Sequence, residues 1–125
     1  MEVVLSNLPA SGRAPTVPWS DTYWPNKFAG IAQRYLWMMG TGATHFGYAL
    51  HSLPQLRSMT VDQLKMLSPA EKFDIFNSRY DYPTVRSEWA RCKPTDVEWE
   101  GVCHGWAPAS YTYKQPSPIV IRNAE

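Results

Sequence analysis

Cysteine is scarce in this sequence: Cys92 and Cys103 are the only two. Two are too few for a disulfide scaffold, so packing must hold the chain together. Long apolar runs are also lacking. No stretch reaches the about 20 residues that a membrane-spanning helix needs. Charge of one sign is not in excess, with 12 Lys and Arg against 11 Asp and Glu. The densest basic stretch, 79–93, is interrupted by acidic residues. Phosphate backbones are bound by clustered cations, so nucleic acid is not an expected partner. The opening Met1-Glu2-Val3-Val4-Leu5 is too short and too uncharged for a signal peptide. A secreted form of the protein is therefore expected to have lost its signal from this chain. The sequence shows no EF-hand loop, internal repeat or low-complexity tract.

Aromatic residues and proline are abundant. The chain of 125 residues carries 6 Trp, 7 Tyr, 4 Phe and 11 Pro. Stiff loops pinned by large side chains are the expected consequence. A hydrophobic fraction of 44% is compatible with a buried core. The length suits one domain, or a piece of one.

Residues 1–27 contain Pro9, Pro15, Pro18 and Pro25, and read as an extended arm. Trp19, Tyr23 and Trp24 are placed to hold that arm against the body, or to line a binding surface. In 28–39, apolar residues recur at three- and four-residue steps and predict a helix, ended by Gly40 and Gly42. A shorter helix over 44–53, stopped by Pro54, is a weaker expectation. Thr60 and Gln63 form a capping box, as do Ser68 and Glu71, with Pro69 at the first helical position. The second box starts a helix expected to reach about Asn77, with Phe73 and Phe76 inward. A further helix is predicted over 84–91, burying Val85 and Trp89. Residues 97–100 alternate and suit a short strand or an extended approach, and Ile119-Val120-Ile121 suits the start of a strand.

The run Gly101-Val102-Cys103-His104-Gly105-Trp106-Ala107-Pro108 carries the most chemistry. A cysteine nucleophile acts as a thiolate, and a helix N-terminus favours that anion. Gly101 before the cysteine and an alanine-rich run after it fit a turn opening a helix. With Cys103 as N-cap, Pro108 falls inside that helix and crowds the carbonyl of His104. A distorted helix start is therefore expected. Its backbone N–H groups are candidates to bind the oxyanion of a tetrahedral intermediate. A thiol also needs a base, usually His. Neighbours in a helix do not face each other, so His104 is poorly placed for Cys103. His45 and His51 lie well upstream, and no triad is complete within the chain. An inert thiol is the alternative for Cys103.

Three stretches resemble the transglutaminase elicitor family. They are Pro18-Trp19-Ser20-Asp21-Thr22-Tyr23-Trp24-Pro25, then Leu67-Ser68-Pro69-Ala70-Glu71-Lys72-Phe73-Asp74, then 99–108 around Cys103-His104-Gly105-Trp106-Ala107-Pro108. They occur in the family's order and span most of the chain. The resemblance implies an α+β fold class. The chain would be the mainly helical N-terminal portion of a papain-like or transglutaminase-like thiol enzyme, with long proline- and aromatic-rich loops. Residues 1–27 would be the arm, and 28–125 the helical part of the catalytic domain. It implies that Cys103 attacks the side-chain amide of a protein glutamine and forms a thioester. A lysine amine then takes the acyl group, or water does in a deamidase or peptidase of the same fold. A non-catalytic binding module is the reading from another class. The family's His and Asp are expected beyond Glu125, on a missing part or a second chain. The expected partners are Gln and Lys side chains of protein substrates, and the expected location is secreted or periplasmic. No cofactor is implied.

Other residues have competing roles. His104 and Trp106 are candidates for oxyanion or substrate support, with Trp106 also suited to a core position behind the cysteine. Glu98 and Glu100 flank Trp99 as paired carboxylates or as solvated charges. His45 and His51, six apart, lack a third ligand for a metal. Cys92 is either a plain free thiol or a disulfide partner that masks Cys103.

Overall fold

The structure, a computed structural model, describes residues 4–7, 9, 11–12, 17–35 and 45–123. Among them are five α-helices and no strand. They are α1 (Leu53–Ser58), α2 (Val61–Lys65), α3 (Pro69–Phe76), α4 (Pro83–Arg91) and α5 (Cys103–Thr112). Short 3-10 turns occupy Leu5–Asn7, Asn26–Phe28 and Gly30–Ala32. The helical content fits the expected helical portion; an α+β arrangement is not present among the described residues. No helix there is long and apolar enough to cross a membrane.

Local capping chemistry explains most helix starts. Ser68 Oγ accepts from Glu71 N at 3.1 Å, and Glu71 Oε2 accepts from Ser68 N at 2.9 Å. Thr60 and Gln63 exchange the same pair of bonds ahead of α2. Each cap stabilises its helix by about 1 kcal/mol. α4 is capped from outside its own segment. Asp74 Oδ2, on α3, accepts from Thr84 N at 3.0 Å and Val85 N at 3.2 Å.

α3 packs on α4, and the turn Gly30–Ala32 packs against both. Ala29, Ala32, Ala70, Tyr82 and Val85 form the buried core, with Ile31, Tyr48, Ile75 and Trp89 against it. The three alanines let the backbones approach, and polar side chains fill much of the rest. Glu71, wholly buried, takes Arg34 through Nε at 2.9 Å and Nη2 at 2.5 Å. The Arg34 guanidinium also lies 3.9 Å from the Tyr48 ring centroid. A buried pair satisfied this fully fixes the register of its elements, because either charge alone would be costly.

Several expectations are corrected. The helix over 28–39 is replaced, in its described part, by two 3-10 turns; residues 36–39 lie outside the described ones. Ala29 (φ 70°) and Gly30 (φ 52°) are left-handed and end any helix there. The Ile31 N–H is taken instead by Glu88 Oε2 at 3.1 Å. No helix forms over 45–52, and Pro54 opens α1 rather than stopping an earlier helix. Phe73 and Phe76 face solvent at 60% and 50% exposure, because Ala70, Glu71 and Asp74 occupy the inner face of α3. Residues 97–100 form a turn closed by Glu100 N donating to Val97 O at 3.1 Å. Residues 119–121 are extended and exposed with no pairing strand. Their segment is tied back where Asn123 Nδ2 donates to Ile75 O at 2.8 Å.

Candidate active site

Cys103 is the first residue of the ten-residue helix α5, with Val102 as its N-cap. The cap thus sits one residue earlier than the sequence suggests. The thiol is exposed and free. Gly105 N and Trp106 N both donate to Val102 O, at 2.9 and 3.0 Å. The backbone N–H groups of Cys103 and His104 have no partner among the described residues, as expected of a first turn. Pro108 lies inside α5 and leaves the His104 carbonyl without its usual donor. The helix begins directly at Cys103 and continues through Pro108 to Thr112.

The proline- and aromatic-rich arm fastens this helix. Trp19 Nε1 donates to Tyr113 O, at the far end of α5, at 3.0 Å. The Trp19 ring meets Trp106 edge-on, 6.4 Å between centroids. Tyr23 O accepts from Val102 N at 2.9 Å, and Glu100 O accepts from Asn26 N at 2.9 Å. Tyr23 Oη donates to Glu98 O at 2.8 Å. Lys27 Nζ pairs with Glu98 Oε1 at 2.6 Å. Residues 19–27 therefore run beside 98–113 and grip the cysteine turn from both sides. Trp24 sits at φ 48°, an unusual backbone for Trp, and its ring packs edge-on against Tyr35. Trp19, Tyr23 and Trp24 all anchor the arm, and Tyr23 also borders a recess.

Trp106 is partly buried under Trp19. Its Nε1 is buried with no hydrogen-bond partner among the described residues. An orphaned donor costs about 1–3 kcal/mol. That geometry gives Trp106 a packing contact rather than an open groove wall. His104 is exposed beside Cys103.

The structure keeps the remaining candidates away from Cys103. His45 stacks against Phe28 at 4.9 Å, and burial pushes its imidazole below the ordinary range. His51 offers its carbonyl to Tyr82 Oη at 2.6 Å and lines a small recess with Arg34, Met59 and Met66. Neither bonds to Cys103, and no base does among the described residues. Cys92 is buried and free, with Sγ 3.6 Å from Asn26 Oδ1. Burial, then the nearby Glu88, pushes its thiol up to about 11. The two cysteines thus differ sharply in access. No group of three or more His, Cys, Asp or Glu among the described residues is placed to hold a metal.

One feature beside the cysteine turn brings together residues that the sequence offers only singly. Tyr23, Glu98 and Trp99 line an open recess of about 400 Å³. Its signal was the Glu-Trp-Glu run at 98–100, which alternation assigned to a strand or an extended approach. The turn instead leaves Trp99 78% exposed. No family model, no curated protein and no solved structure matches the chain.

Proposed function

We propose that Cys103 is the nucleophile of a glutamine-directed thiol acyltransferase of the transglutaminase kind. The observation that carries this is its position: an exposed thiol at the first residue of α5, beside two backbone N–H groups unpaired among the described residues, in a turn clamped by residues 19–27. The motif resemblance supplies the substrate class.

The chemistry follows from that position. The thiolate sulfur attacks the side-chain amide carbon of a glutamine. The amide oxygen takes the negative charge, and the N–H groups of Cys103 and His104 are the nearest donors to it. The C–N bond breaks, a proton joins the nitrogen, and ammonia leaves a thioester on Cys103. A lysine amine then attacks the thioester carbon. The C–S bond breaks, the amine proton departs, and an isopeptide remains. Water in place of lysine gives deamidation. In this proposal the base and its orienting acid come from another part of the protein or a second chain, and the working location is secreted or periplasmic.

Amine incorporation tests the proposal. The complete protein, with any chain that accompanies it, is mixed with a glutamine-rich acceptor protein and a labelled primary amine. Incorporation is expected, and Cys103→Ala abolishes it. Release of ammonia without amine incorporation moves the reading to a deamidase. Equal signals from wild type and Cys103→Ala leave the chain as a binding module.

A further inference from the structure

Glu98 already binds an ammonium. Its Oε1 holds Lys27 Nζ at 2.6 Å, while Oε2 has no partner among the described residues. Its side chain is 86% exposed. The same recess has two aromatic walls, Tyr23 and Trp99. A carboxylate beside two aromatic rings suits a cation on an aliphatic stem: the rings can attract the charge and cover the methylenes. An anion meets repulsion there, and a neutral alcohol forfeits the charge-assisted bond.

The recess is also built rather than incidental. Tyr23 Oη donates to Glu98 O at 2.8 Å, which fixes one wall to the floor. Tyr23 O accepts from Val102 N, the residue before Cys103, at 2.9 Å. Recess and thiol therefore share one clamped loop.

We propose that the recess lined by Tyr23, Glu98 and Trp99 binds a primary alkylammonium group, the side chain of the lysine that accepts the acyl group. The binding stands on this geometry; the acceptor role rests on the reading of Cys103 as nucleophile. A lysine side chain docks as its ammonium, against Glu98 Oε2. Loss of one proton to water frees the amine that attacks the thioester carbon. Lys27 is its competitor within the chain.

Nuclear magnetic resonance titration of the full chain tests this, following the Trp99 indole N–H. n-Pentylamine at neutral pH is expected to shift that signal saturably, and 1-pentanol to bind about tenfold more weakly. Glu98→Gln is expected to erase the preference for the amine, and Trp99→Leu, followed at the Glu98 backbone amide instead, to weaken both ligands. Lys27→Ala is expected to tighten pentylamine binding, and Cys103→Ala to leave it unchanged. No shift at Trp99, equal binding of pentanol, or a preference that survives Glu98→Gln overturns the proposal. Where the complete protein incorporates amines, Glu98→Gln should raise KM for the amine and spare kcat; an unchanged KM overturns the acceptor role while leaving the nucleophile standing. Pentylamine binding without any amine incorporation removes the acyl transfer and leaves the ammonium site.

Discussion

Replacing Gly101 with alanine drives a methyl carbon into the Tyr23 carbonyl oxygen, 2.8 Å from Tyr23 Cδ2 and 3.0 Å from the Trp24 carbonyl oxygen. Two of these atoms are backbone, so no rotamer change relieves the clash. The arm must move away from the cysteine turn. That movement breaks Val102 N to Tyr23 O and Asn26 N to Glu100 O, both 2.9 Å. Each such bond contributes about 0.5–1.5 kcal/mol, or about 1–3 kcal/mol together. Alanine returns about 0.4–1 kcal/mol by restricting the unfolded chain. A net loss of about 1–2 kcal/mol is expected. Urea unfolding followed by tryptophan fluorescence reads it, and trypsin cleavage after Lys27 reports release of the arm. Gly12→Ala is the control, since nothing lies within 4 Å of its added methyl. A Gly101→Ala protein with the wild-type midpoint and an equally protected Lys27 refutes the clamp.

Three further outcomes follow from the packing. Gly30→Ala puts a methyl group onto Glu88 Oε2 at a left-handed position, φ 52°, and should cost about 2–5 kcal/mol in chemical denaturation. Burial, chiefly, pushes the Tyr82 phenol up to about 12 from its ordinary 10.0. The folded state then keeps a proton that the unfolded state releases. Its contribution is whole below pH 10 and declines as pH rises towards 12, which unfolding measured at stepped alkaline pH should show. At pH values well below the about 11 of the Cys92 thiol, iodoacetamide should label Cys103 in the folded chain and reach Cys92 only on unfolding, as peptide mass mapping would show.

What was legible in the sequence was local. The capping boxes at Thr60 and Ser68 depend on residues three apart, and they form as read. The helix over Pro83–Arg91 and the burial of Val85 were legible for the same reason. The helical setting of Cys103 could be read from Gly101 before it and the alanine-rich run after it. What failed depends on distant partners. Ile31 leaves a helical path because Glu88, far along the chain, takes its N–H. Phe73 and Phe76 point outward because Glu71 is drawn in by Arg34 and Asp74 by the start of α4. Apolar periodicity cannot register a carboxylate that is buried for its partners. Tyr23, Glu98 and Trp99 are each legible as candidates, but not the recess they share, because Tyr23 and Lys27 fix a turn where alternation suits an extended run.

The thioester on Cys103 is the central claim, and trapping it tests that claim most directly. The complete protein is incubated with a glutamine-containing peptide without an amine acceptor, quenched in acid and read by intact mass. The predicted result is a gain equal to the peptide less ammonia, mapped to Cys103, lost with hydroxylamine and absent from Cys103→Ala. A folded complete protein that releases ammonia from the peptide equally in wild type and Cys103→Ala, with no adduct on Cys103, contradicts the account.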